Sequence, residues 1–322
     1  MNSINHYREE FLAHLRTSVA VKEPRNLYEP IDYILQLGGK RLRPVLTLIA
    51  ADLFGGDYRK ALPAAAAVEV FHNFSLVHDD IMDNASLRRG KATVHEKWNS
   101  NIAILSGDAM LICAYRLLES YPPDTFAALA KLFSKTALEV CEGQQWDMDF
   151  ETQAQVSIPQ YLQMIRYKTA VLVGAALQMG AIIAGTSIEN QRLIYDFGVT
   201  IGLAFQLQDD YLDTFGDEAF GKKIGGDILE NKKTILYLKA LALADEAQRN
   251  TLIAQYATTE ESDEKIAIVT QLFRQTGAAE AVRDEITRTT DEALNLLEQI
   301  TISDENRAYL KQFALELMNR KV

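Results

Sequence analysis

The sequence predicts an all-α fold in a single domain, residues 1–322, a helical bundle with an apolar central layer. Three observations carry that reading. Strand signals are nearly absent, since no Val/Ile/Thr alternation is bounded by Asn-Gly or Asp-Gly turns. Apolar residues recur at helical spacing over long stretches. Only seven prolines occur, and no Ser/Gly/Pro-rich linker or low-complexity tract divides the chain. Helices are expected over about 3–20, 25–37, 41–54, 58–83, 96–119, 124–143, 158–182, 189–214 and 231–243, with three or four more between Glu246 and Arg320. Gly38-Gly39, Gly55-Gly56, Pro122-Pro123, Pro159 and Gly225-Gly226 punctuate them. The most apolar stretch, Ala170 to Gly185, contains Gln178 and falls short of the roughly 18 residues of a membrane span. A helix apolar on all sides belongs at the centre of a bundle. The N-terminus has no apolar h-region, so neither a signal peptide nor a membrane span is expected.

Composition narrows the function. Hydrophobic residues make up 48% of the chain, enough for a large core. The net charge, 33 − 44 = −11, argues against a nucleic-acid partner. An anionic substrate must then be held by local cations or by metal. Cys113 and Cys141 form no CxxC pair and read as reduced thiols of a cytoplasmic protein.

Two acidic clusters of the form DDxxD stand out: Asp79-Asp80-Ile81-Met82-Asp83 and Asp209-Asp210-Tyr211-Leu212-Asp213. Each closes an apolar helix. At 100° per residue Asp79 lies over Asp83, and Asp209 over Asp213. Like charges at that spacing cost a helix about 0.2–0.5 kcal/mol, and a bound cation reverses the penalty. Carboxylates with water suit Mg²⁺, which takes one or two carboxylates plus substrate phosphate. One such cluster reads as a solvated helix end as easily as a site; two copies do not.

Cations lie beside these clusters. Lys40, Arg41 and Arg43 follow a double-glycine turn, Arg88-Arg89-Gly90 follows the first cluster, and Lys222-Lys223 and Lys232-Lys233 follow the second. Lys168 opens the central apolar helix. Each pair alone is ordinarily solvated surface; together they suggest sites for two phosphorylated groups. Two rival motifs fail. Gly216 to Lys223 imitates a P-loop, but it follows a helix and lacks the final Ser or Thr. Glu69-Val70-Phe71-His72 matches the ExxH element of di-iron bundles, but no second ExxH exists. His72 remains a candidate core histidine, His78 and His95 read as structural or surface residues, and Gln206 reads by default as a core amide.

Taken together, Gly38 to Pro44, Leu76 to Asp83, Arg88-Arg89-Gly90, Lys168-Thr169, Phe205 to Asp210 with Asp213, and Gly221-Lys222 resemble the trans-isoprenyl diphosphate synthases, the polyprenyl synthetase family. The pieces span residues 38 to about 234 in the family's order. The resemblance implies a prenyltransferase that condenses an allylic diphosphate (dimethylallyl, geranyl or farnesyl) with isopentenyl diphosphate. It implies a deep central cavity, a homodimer and three Mg²⁺ ions between the clusters. Asp79, Asp83 and Asp209 would bind metal, while Asp80, Asp210 and Asp213 would orient waters or lysines around it. Arg88, Lys168, Lys222 and Lys232 would hold the allylic diphosphate; Lys40, Arg43, His72 and Arg89 would hold isopentenyl diphosphate. Thr169 and Gln206 would turn oxygens toward the developing cation. The family usually has Gly-Lys where this chain has Asn231-Lys232-Lys233, so either lysine could reach phosphate.

The resemblance further implies geranylgeranyl diphosphate (C20) as product, with farnesyl diphosphate (C15) next. Phe74 would floor the tail cavity with Phe71 one turn deeper, although an ideal helix turns Phe74 about 140° from Asp79. Core packing is the plain alternative for both rings. Rival assignments are a longer-chain polyprenyl synthase, a class I terpene cyclase and a non-catalytic partner subunit. The second DDxxD and the GGKRLRP segment speak against the cyclase, and the presence of both aspartate clusters speaks against the partner subunit.

Overall fold

A computed structural model describes residues 1–216, 224–258 and 262–318. Among the described residues the fold is all-α apart from one hairpin of two-residue strands. It divides into two compact units, Met1–Ala137 with Leu172–Tyr195, and Leu138–Val171 with Asp196–Val322.

The first unit begins with α1 (Ile4–Ser18), α2 (Arg25–Gln36) and α3 (Leu42–Leu53). A 3₁₀ turn, Tyr58–Ala61, then leads into α4 (Leu62–Met82). Strands β1 (Leu87–Arg88) and β2 (Lys91–Ala92) precede the short α5 (Val94–Lys97) and α6 (Ser100–Leu118). Helix α4 is the core of this unit. Its Ala64 to Val68 run is fully buried, and α1, α3 and α6 pack around it. A helix sheathed on all sides has no need of a polar face, which is why its apolar residues show so little periodicity.

The long α7 (Pro123–Thr152) contributes residues to both units, as do α9 (Val171–Ala184) and α10 (Ile188–Phe215). The second unit also holds α8 (Ile158–Ile165), a π-turn at Arg166–Ala170, α11 (Gly226–Leu229) and α12 (Ile235–Leu243). It ends with α13 (Glu246–Ala257), α14 (Asp263–Gln275), α15 (Ala278–Gln299) and α16 (Asp304–Met318). Its core gathers Phe150, Ile165, Leu207, Leu236, Val269 and Phe273.

Several boundaries differ from the sequence expectation, among them the start of the helix expected at 96–119, which opens only at Ser100 after the separate α5. Helix α7 runs nine residues past the expected stop at Gly143, because that glycine serves close packing and not termination. A Cβ there would strike the backbone of Tyr167 and Lys168. The expected helix at 231–243 starts only at Ile235, since Asn231 takes φ 56° and the Lys232 N–H turns back to Asp227 O at 2.9 Å. The expected helix at 58–83 opens with the 3₁₀ turn. Finally, the apolar stretch belongs to a helical run, Ile158–Ala184, of 27 residues. That run and α6 are both long and apolar enough to cross a membrane, contrary to the shorter stretch read from sequence. In the former, 61% of the most apolar window is buried inside the protein, the pattern of a core helix.

Candidate active site

In the first unit, the acidic cluster sits at the C-terminus of α4, where the helix dipole already concentrates negative charge. A Schellman motif ends the helix there. Asn84, at φ 50°, occupies the left-handed position, and Ala85 N–H reaches back to Asp80 O while Asn84 N–H reaches Ile81 O. Asp80 is buried and takes both Nε and Nη2 of Arg88 on one oxygen, at 2.7 and 2.6 Å. Its other oxygen, Oδ2, has no hydrogen-bond partner among the described residues. Burial raises the Asp80 pKa, and Arg88 opposes that rise. Arg88 also stands 3.6 Å from Asp79, while Asp83 is exposed. Arg89 and Gly90 both have positive φ, as a two-residue type I′ turn requires, and join Arg88 to Lys91 across the hairpin.

The basic turn at Gly38–Arg43 lies in the same unit. Gly38, Gly39 and Arg41 take positive φ in turn. Gly39, at φ 119°, takes a backbone conformation that favours glycine, and the Arg89 guanidinium fills the space where a Cβ would stand. Arg89 donates to Gly38 O, Lys40 is exposed, and Arg43 Nη1 faces His72 Nε2 at 3.3 Å. Burial, then Arg43 and Arg89, pushes the His72 pKa well below its usual value. Lys40, Arg43, His72 and Arg89, predicted to share one anion, thus belong to a single unit. Phe74 packs between Phe71 (centroids 5.5 Å apart) and His78 (4.8 Å). Both phenylalanines are buried. His78 Nε2–H donates to Ile104 O, 3.2 Å away, a contact in keeping with a structural role. His95 is buried and not at the surface.

The second unit carries the other cluster near the C-terminus of α10, again at the unfavourable end of the dipole. Its three acids stand in different surroundings. Asp210 is buried, accepts from the Tyr161 hydroxyl, and accepts from Gln206 Nε2 at 3.0 Å. Burial and then the charge of Asp227 push its pKa up to about 7 against those hydrogen bonds. Asp213 accepts from Asp227 N–H at 3.0 Å, tying the cluster to α11. Asp209 is partly buried.

Lys168 and Thr169 lie on the π-turn, a local widening of the helix often found at functional positions. Lys168 pairs with Asp147 of α7. The Thr169 hydroxyl donates to Gln206 Oε1 at 3.3 Å. Thr169, Gln206, Asp210 and Tyr161 therefore form one hydrogen-bonded chain.

The two adjacent lysines part company. Lys233 Nζ donates to the carbonyls of Phe150, Glu151 and Gln153, at 2.7, 3.2 and 2.7 Å, and so caps the C-terminus of α7. Lys232 projects beside Glu230 (2.6 Å) and Asp227 (3.9 Å). Burial works against its charge, but those acids raise its pKa. Lys222 and Lys223 lie outside the described residues.

Sequence reasoning passed over Asp147, Tyr161 and Asp227. The first two show no motif of their own, being single residues inside helices. Asp227 had a signal, an acid just after the Gly225-Gly226 turn, that went unused.

Among the described residues no three acid, histidine or cysteine side chains converge to enclose an ion alone. The donor set still fits Mg²⁺, which needs only one or two carboxylates when phosphate oxygens complete its shell. The unpartnered Asp80 oxygen and the acids at two helix C-termini point the same way.

Comparison with known proteins fits this site. The polyprenyl synthetase family model matches residues 24–273. A geranylgeranyl pyrophosphate synthase of Geoglobus acetivorans is 38% identical over 301 residues, covering 93% of this chain and 92% of that one. A crystal structure of a geranylgeranyl pyrophosphate synthase superposes with a TM-score of 0.96, at 54% identity, over the whole of both chains. That of the Corynebacterium glutamicum geranylgeranyl pyrophosphate synthase, complexed with isoprenyl diphosphate and magnesium, has a TM-score of 0.86 at 30% identity over 98% of each chain. The chain belongs to the polyprenyl synthetase family and is a trans-isoprenyl diphosphate synthase.

Proposed function

We propose that this enzyme condenses an allylic diphosphate with isopentenyl diphosphate to make geranylgeranyl diphosphate (C20), using Mg²⁺ held by both aspartate clusters. One observation carries the proposal: two DDxxD clusters end apolar helices at the pole where acids are least favoured. Selection for stability alone would not place them there twice.

Asp79, Asp83 and Asp209 are the proposed metal ligands. Asp80, Asp210 and Asp213 act behind them, since Arg88 engages one oxygen of Asp80, Tyr161 with Gln206 engages Asp210, and the Asp227 amide engages Asp213. Held by these residues, Mg²⁺ (three ions by family analogy) would supply positive charge to stabilise the departing diphosphate. Lys168 and Lys232 hold that diphosphate, with Arg88 and Lys222; Lys232 is preferred over Lys233, which the α7 carbonyls occupy. Lys40, Arg43, His72 and Arg89 hold isopentenyl diphosphate. The Gln206 amide donates to Asp210 and its carbonyl oxygen accepts from the Thr169 hydroxyl, so the remaining lone pairs of those two oxygens can face positive charge developing on the allyl carbons. A single family model spanning both units supports their acting as one catalytic domain.

Asp79→Ala and Asp209→Ala test the metal assignment. Each should lose most turnover while circular dichroism stays unchanged, and a chelator should stop the wild type without unfolding it. Near-normal turnover of either variant in saturating Mg²⁺ sinks the assignment.

The C20 product rests on the relatives' activity and on Phe74, five residues or about 7.5 Å along α4 from Asp79. A homodimer is proposed through α6, which exposes Ile104 (45%), Leu105 (60%) and Ile112 (59%) to solvent. Apolar side chains so exposed on one helix favour a second copy as cover. Sedimentation equilibrium of wild type and Leu105→Glu checks this: a monomeric wild type contradicts it.

A further inference from the structure

The ExxH element on α4 has a use that the metal and phosphate contacts do not account for. Glu69, its first residue, is 2% exposed, and it is salt-bridged to Arg41, which is 5% exposed. Arg41 sits at φ 51° and ψ 38°, a left-handed conformation that a residue with a long side chain seldom takes. Two contacts hold it there. One Nη donates to Glu69 Oε1, and the other donates to Leu35 O in the last turn of α2. Asn73, one turn along α4, donates to that same Glu69 oxygen at 2.9 Å and to Glu69 O at 2.8 Å. The carboxylate is thus tied to the turn that carries Lys40 and Arg43. Arg89 makes a second contact to the turn, donating to Gly38 O. Glu69 also opposes the effect of burial on the charges of Arg43 and Arg89.

We propose that Glu69 and Arg41 are positioning residues: their buried pair fixes the Gly38–Arg43 turn and thereby sets affinity for isopentenyl diphosphate without touching it. The proposal rests on the assignment of Lys40, Arg43, His72 and Arg89 to that substrate. The competing role is purely structural, a pair that neutralises buried charge and adds nothing to recognition. A buried pair removed whole is often neutral for stability, whereas removal of one partner strands the other. The double substitution therefore separates the two roles.

Steady-state kinetics would be measured for wild type, Glu69→Gln and the double variant Arg41→Met with Glu69→Met, varying each substrate at saturating levels of the other. Thermal unfolding would be followed in parallel. The expected result is a KM for isopentenyl diphosphate raised at least about tenfold in both variants, the loss of roughly one good polar contact. The allylic KM and kcat should stay near wild type, and the double variant should melt near the wild-type temperature. A double variant with the wild-type KM for isopentenyl diphosphate overturns the proposal, as does an equal rise in both KM values. Should Glu69→Gln not fold, the double variant decides alone. A wild type that does not consume isopentenyl diphosphate would refute the substrate assignment itself, and the proposal with it. Wild-type turnover beside unchanged variants refutes the proposal alone.

Discussion

Arg43 Nη1 stands 3.3 Å from Nε2 of His72. A guanidinium can only donate, so the imidazole must accept at Nε2 and carry its proton on Nδ1. The ring is therefore neutral in the folded protein, in keeping with its pKa being pushed well down by burial and by Arg43.

That arrangement predicts a pH dependence. The unfolded His72 titrates at about 6.5, and the folded one lower. Below pH ~6.5 the unfolded chain therefore binds a proton that the folded chain refuses, so stability falls as pH falls. Above that pH the contribution is fully present. Urea unfolding of the metal-free protein between pH 7.5 and 5 should show a steeper loss for wild type than for His72→Gln. Parallel curves would show that the ring protonates freely in the fold.

Arg43 and Lys168 should separate the two diphosphate sites. Arg43→Ala should mainly raise the KM for isopentenyl diphosphate. Lys168→Ala should mainly weaken use of the allylic primer and slow ionisation, as it removes a cation that Asp147 holds on the π-turn. Each loss should cost about 1.5–3 kcal/mol, the worth of a charge-assisted hydrogen bond. Initial rates over a grid of both substrates give the measurement, and identical effects of the two variants on both substrates contradict the split.

The neighbouring lysines should differ in kind. Lys233→Met strips three carbonyls at the end of α7 of their donor. It should lower stability by about 1–3 kcal/mol. Lys232→Met should leave stability nearly unchanged and raise the allylic KM. Denaturant unfolding and kinetics on both variants check this; a Lys233→Met protein with wild-type stability and a raised allylic KM would reverse the assignment.

Phe74→Ala asks whether the ring limits product length. Phe74 is buried against Phe71 and His78. A longer product with retained turnover supports a cavity floor. An unchanged product, or a loss of about 3–5 kcal/mol of stability alone, supports core packing.

Much of this was legible in the sequence because charge at the end of an apolar helix is costly and therefore conspicuous. Both DDxxD clusters and the turn at Gly38–Arg43 announce themselves that way. The helices were legible from periodicity, but their ends were not. Gly143 looks like a stop in sequence, yet its meaning depends on Lys168, 25 residues on in the chain and pressed against it in space. The division of labour between Lys232 and Lys233 is equally hidden, since it is set by carbonyls some eighty residues away. Tyr161 and Glu69 act through burial and hydrogen bonding, which a residue type alone does not reveal.

The most direct test of the central claim is product identification. The purified enzyme would be incubated with Mg²⁺, isopentenyl diphosphate and, in turn, dimethylallyl, geranyl and farnesyl diphosphate, and the dephosphorylated alcohols separated by chain length. The account predicts a Mg²⁺-dependent C20 alcohol as the dominant product from every primer. A cyclic hydrocarbon formed without consumption of isopentenyl diphosphate, or no product in saturating Mg²⁺, would contradict it.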